Sequence, residues 1–108
     1  MASIAPLLNE APEQNQEAFQ HILGLIKKNE SREMTLRQLA VLMLLASENE
    51  KSWTVRALAK TTGLSKPVIT RAINTLSRFG FVIRTKDTGD GRSVFLSVTL
   101  RGQDFLFV

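Results

Sequence analysis

The chain has 108 residues, with 14 Lys and Arg, 10 Asp and Glu, and no cysteine. That length suits one domain with a modest core, and the missing thiols exclude a disulfide framework, a thiolate zinc finger and thiol redox sensing. Its charge is segregated: from Thr54 to Arg101 nine cations face two acids (+7), whereas the remainder carries five cations and eight acids (−3). A basic region beside an acidic one suits a polyanion partner, although a merely solvated face gives the same count. The start lacks the charged and apolar regions of a secretory signal. The longest apolar run, Leu39 to Ala46, is too short to span a bilayer. A cytoplasmic, nucleoid-associated protein with no membrane partner is expected.

Residues 1–12, with Pro6 and Pro12, read as an irregular arm. A helix is expected from Glu13 to Lys28, where Phe19, Ile22, Leu23 and Ile26 recur at three- and four-residue spacing. Asn29 to Glu33 is polar and reads as a loop. In the next helix Thr35 and Gln38 form a capping box, Met34 and Leu39 have staple spacing, and Leu39, Leu42, Met43 and Ala46 are expected to be buried. Polar residues from Ser47 to Lys51 end it.

Thr54 is expected to cap a third helix, with Val55, Leu58 and Ala59 facing inward and Trp53 as a core plug. Gly63 fits its left-handed C′ position. Ser65 then caps a fourth helix, with Pro67 in the first turn, where its missing N–H is harmless. Ile69, Ala72, Ile73, Leu76 and Phe79 make its apolar stripe, and Gly80 stops it. Phe81 to Lys86 and Ser93 to Thr99 have strand composition, and the turn-rich Asp87-Thr88-Gly89-Asp90-Gly91-Arg92 between them reads as a β-hairpin. Thr99 can cap a last short helix from Leu100 to about Phe107. The fold class is therefore mainly α with a small β-hairpin (α+β).

Two short helices joined by a tight glycine turn, Thr54 to Phe79, make a helix-turn-helix candidate, and the Arg-bearing hairpin after it has the layout of a wing. The exposed side of the fourth helix offers Lys66, Thr70, Arg71, Asn74, Thr75 and Arg78 without an acid. A helix entering the major groove needs such donors and short polar groups. Free N–H groups at Ser65 and Lys66 suit a phosphate. Arg92 can reach a narrow, A·T-rich minor groove, oriented by Asp90, which also suits a turn of its own. Thr54, Pro67, Val68, Arg84 and Lys86 complete the candidate DNA contacts. Nothing suggests an active site: His21 is the only histidine, and no triad, metal-ligand cluster or phosphate loop is recognisable. Catalysis, cofactors and metals are not expected.

From Met34 to Leu106 the sequence resembles the MarR family of winged helix-turn-helix regulators. The resemblance rests on Met34-Thr35-Leu36-Arg37-Gln38-Leu39, on Leu58 to Arg71, on Leu76 to Phe81, on the stretch Asp87 to Arg92 and on Val98-Thr99-Leu100-Arg101-Gly102. It implies that the helix from Ser65 is the recognition helix and that Arg92 enters the minor groove. Typical members continue past the wing into two long helices that build the dimer and border a small-molecule pocket, whereas this chain stops at Val108. That departure argues against an effector. Dimerisation is then expected through residues 13–30 and 100–108, with Phe19, Ile22, Leu23, Ile26, Phe105, Leu106 and Phe107 at the contact. The expected organisation is an arm followed by one winged helix-turn-helix domain over residues 13–108, binding double-stranded DNA as a homodimer. The alternatives are a winged-helix protein-interaction module and a non-specific architectural or replication-associated DNA binder.

Overall fold

The computed structural model describes residues 13–28, 33–47, 52–86, 89 and 93–107. The expected arm over residues 1–12, residues 29–32 and 48–51 of the expected loops, and Val108 lie outside the described residues, as does most of the wing turn, including Asp90 and Arg92. The described elements are α1 (Glu13–Lys28), α2 (Leu36–Ser47), α3 (Val55–Thr62), α4 (Lys66–Arg78), β1 (Val82–Lys86), β2 (Val94–Val98) and α5 (Leu100–Phe107). The chain forms two compact units, Met1–Glu33 and Met34–Val108. The first holds α1, on which Phe19 and Leu23 are half-buried and Ile22 and Ile26 exposed. The second holds every other element.

Within the second unit the helix starts and stops follow from short polar side chains and glycines. The Thr35 amide donates to Gln38 Oε1 at 2.9 Å and the Gln38 amide to Thr35 Oγ1 at 3.1 Å, a closed capping box. Thr54 Oγ1 accepts from the Ala57 amide and Ser65 Oγ from the Val68 amide, satisfying donors that each helix start leaves over. Gly63, at φ 75°, ends α3 with its amide on the Ala59 carbonyl. Gly80, at φ 79°, ends α4 in a Schellman motif: its amide donates to Ser77 O and the Phe81 amide to Leu76 O.

α4 lies at the centre of the core. Its inner side, Ile69, Ala72, Ile73 and Leu76, is buried against α2, α3 and β1. From α2 come Val41, Leu42 and Leu45, from α3 Leu58, and from the hairpin Val82, Leu96 and Val98. Phe79, counted with the stripe of α4, is only half-buried. Two further expectations need correction. Met43 is 40% exposed and Leu39 and Ala46 are only half-buried, because α2 turns Val41, Leu42 and Leu45 inward. Phe105 and Leu106, expected at a dimer contact, are buried in the chain's own core: Leu106 is fully enclosed, and the Phe105 ring stacks on Phe81 at 4.8 Å between centroids. Of that apolar end only Phe107 stands out among the described residues.

β1 and β2 pair antiparallel with Val82 opposite Val98 and Lys86 opposite Val94. On its other edge β2 takes a single bridge from Trp53, whose carbonyl accepts the Leu96 amide at 2.8 Å. Trp53 is buried, as expected of a core plug. Thr99 then ties the hairpin's exit to the end of α4. Its hydroxyl donates to the Gly80 carbonyl at 2.6 Å and accepts the Gly102 amide at 3.1 Å, capping α5 as expected. Helix-turn-helix, hairpin and closing helix together make a winged helix.

Candidate nucleic-acid interface

The fold splits α4 lengthwise. With one side buried, the other presents Lys66, Thr70, Arg71, Asn74 and Arg78 to solvent, with Thr75 half-buried beside them. That surface is acid-free because α4 contains no Asp or Glu. The half-turn of polar residues at three- and four-residue spacing is the counterpart of the apolar stripe, so one periodicity sets both core and surface.

The side chains on this face are partly organised before any ligand arrives. Arg71 Nε donates to the Pro67 carbonyl at 3.4 Å, and Thr75 Oγ1 donates to the Arg71 carbonyl at 3.2 Å. Arg78 Nη2 donates to Thr75 Oγ1 at 3.2 Å. Arg84 reaches across from β1: its Nη2 donates to Asn74 Oδ1 and its Nη1 to Ser77 Oγ at 3.4 Å. Arg71, Asn74, Thr75, Ser77, Arg78 and Arg84 line one open cleft of about 640 Å³.

Thr54 and Lys66 meet in a second cleft, of about 380 Å³, where the starts of α3 and α4 face the hairpin residues Ser93 and Val94. Thr54 is half-buried and its hydroxyl oxygen is engaged as a helix cap, whereas Ser65 caps α4 from an exposed position. Pro67 is exposed, and Val68 lines a groove of about 610 Å³ with Arg71 and the capping-box residues Thr35 and Gln38. Lys86 is exposed at the end of β1. Asp90 and Arg92 fall outside the described residues.

Among the further residues that line these clefts, two cations and a hydroxyl stand out that the sequence did not mark as contacts. Arg37 stands in the groove with Arg71, and Arg56 stands in the cleft with Lys66. Ser77 is the second acceptor of Arg84. Arg56 was visible in the cation count, but nothing in the spacing placed Arg37 beside α4. Among the described residues no cluster of His, Cys, Asp or Glu could hold a metal ion, and no helix is long and apolar enough to cross a membrane.

Comparison with known proteins identifies the scaffold. The MarR family model matches residues 32–93. An uncharacterized HTH-type transcriptional regulator of Mycobacterium bovis is 38% identical over 79 residues, covering 73% of this chain and 54% of that protein. An HTH-type transcriptional regulator of Mycobacterium tuberculosis matches with the same figures, 38% over 79 residues. The chain thus spans about half the length of the curated relatives it matches, 54%. Among solved structures, the MepR–DNA complex of S. aureus has a TM-score of 0.69 at 20% identity, covering 85% of this chain and 68% of that one. The adhesin competence repressor AdcR of Streptococcus pyogenes has a TM-score of 0.62 at 25% identity, covering 88% and 69%. Winged-helix architecture and a family model matched over residues 32–93 agree: this chain belongs to the MarR family.

Proposed function

We propose that this protein is a transcriptional regulator that binds double-stranded DNA sequence-specifically, reading an inverted repeat as a homodimer. The observation that carries the reading is the division of α4 into a buried apolar side and an acid-free exposed side of Lys66, Thr70, Arg71, Asn74 and Arg78. In the major groove such a face supplies donors for base edges and charge for phosphates. Lys66 and the amides at the start of α4 engage the backbone, Arg71 and Asn74 the bases, and Lys86 a flanking phosphate. Arg92, between the two strands of the hairpin, enters the minor groove. The names of the mycobacterial relatives and the solved MepR–DNA complex support this reading.

The homodimer is proposed from apolar side chains left at the surface: Ile22 and Ile26 of α1 and Phe107 of α5. An isologous contact about a two-fold axis sets two recognition helices roughly 34 Å apart, one turn of DNA. No small-molecule effector is part of this proposal.

Selection of bound sequences from a pool of random duplexes tests it. The expected outcome is an enriched motif with inverted symmetry. Retention of all duplexes alike would favour an architectural binder, and retention of none would sink the proposal.

A further inference from the structure

Arg84 counts as a DNA-facing cation by charge, yet its position gives it another task. Strand alternation places Arg84 on the same side of the hairpin as Val82, opposite Leu96, and both of those side chains are buried. The inner face of the hairpin is turned toward α4, and the guanidinium extends along it to two side chains one helical turn apart. Nη2 donates to Asn74 Oδ1 and Nη1 to Ser77 Oγ.

We propose that Arg84 is a positioning residue, which fixes the carboxamide of Asn74 and locks the first strand of the wing to the recognition helix. The proposal rests on the reading of α4 as the DNA-contacting helix. A guanidinium carries donors only. The atom of Asn74 that faces Arg84 is therefore the carbonyl oxygen, and the NH2 group is turned away from β1. A free, exposed carboxamide presents its two ends in either sense and reads acceptors and donors alike. Held by Arg84, Asn74 offers its N–H donors in one orientation, which suits acceptors of the major groove: purine N7, guanine O6 or thymine O4. The planar fork suits this task, because it meets two acceptors at once with little further ordering. With two of its five N–H donors on α4, Arg84 is assigned to the helix rather than to a phosphate.

The experiment measures affinity against salt, and base preference, on a duplex selected by the wild-type protein, for Arg84→Ala, Asn74→Ala, the double variant and Lys66→Ala. A phosphate ligand lost lowers the slope of log affinity against log salt by about one. The expected result is that Lys66→Ala lowers the slope by about one, whereas Arg84→Ala leaves it unchanged. Arg84→Ala should relax preference at the same base pair as Asn74→Ala, and the double variant should bind no worse than the weaker single variant. A slope lowered by about one in Arg84→Ala, with losses that multiply in the double variant, would overturn the proposal. In the free protein, the side-chain amide resonances of Asn74 should move to those of a solvated, averaging carboxamide in Arg84→Ala. Unchanged resonances would overturn the proposal even before DNA is added. Failure of the wild type to select any duplex would instead remove the DNA reading of α4, and leave the Asn74 resonances to decide whether Arg84 holds the side chain.

Discussion

Gly102, in the first turn of α5, lies so close to Phe81 that a β-carbon on it would sit 2.6 Å from the Phe81 carbonyl oxygen and 2.8 Å from Val98 Cγ2. The oxygen is backbone and cannot swing aside. It also accepts the Thr99 amide at 2.9 Å, so the contact sits where hairpin and closing helix meet. Alanine ordinarily favours a helix over glycine by about 1 kcal/mol, but here the clash outweighs that gain. We expect Gly102→Ala to destabilise by about 1–3 kcal/mol, as overpacking does. Thermal unfolding checks it, and an unchanged or raised Tm would contradict the close approach.

Gly63 makes the opposite case, since nothing lies within 4 Å of a β-carbon built there and only its φ of 75° matters. A left-handed residue with a β-carbon costs roughly 1–2 kcal/mol, less for asparagine. Gly63→Ala should therefore destabilise, and Gly63→Asn should recover part of the loss. Urea titration of the three proteins gives the ranking, and equal stability of all three would refute it.

Affinity for duplex DNA should fall steeply with salt, because each phosphate neutralised by Lys or Arg releases counterions. Arg71→Ala should cost about 1–3 kcal/mol on the preferred site and relax base preference at one position. Arg92→Ala should hurt binding most where the flanks are A·T-rich. Fluorescence anisotropy over a salt series, with A·T and G·C flanks, reads all three effects. An Arg71→Ala protein with unaltered preference would show that α4 is misassigned.

Two neighbouring aromatics separate folding from assembly. Phe107 is 61% exposed, so Phe107→Asp should keep the Tm close to wild type while shifting the protein from dimer to monomer in sedimentation. Phe105 is buried against Phe81, so Phe105→Ala should cost about 3–5 kcal/mol of stability. A Phe107→Asp protein that sediments like wild type would place the dimer contact elsewhere.

The local structure was legible in the sequence because its determinants are local. Thr35 with Gln38, Thr54, Ser65, Gly63 and Gly80 act within four residues of themselves, and each does in the fold what its type and spacing indicate. The exposed face of α4 was legible for the same reason: its apolar stripe is regular enough to give the phase of the helix. Periodicity fails where there is no contrast. Leu39 to Ala46 is apolar throughout, so only packing decided that Val41 and Leu45 turn inward and Met43 outward. Phe105, Leu106 and Phe107 are equally apolar, and only packing decided that Phe105 stacks on Phe81, that Leu106 is enclosed and that Phe107 is not. Contacts between elements were likewise out of reach. Arg84 is ten residues from Asn74, and charge marks it only as a cation; the pairing of β1 with β2 over α4 is what aims its guanidinium at that one carbonyl oxygen. The caps, the glycine stops and the polar face of α4 could be read from the chain alone, because each acts over only a few residues. Which apolar residues remain outside, and that Arg84 is bound across two elements, depend on surfaces that exist only once distant segments are packed together.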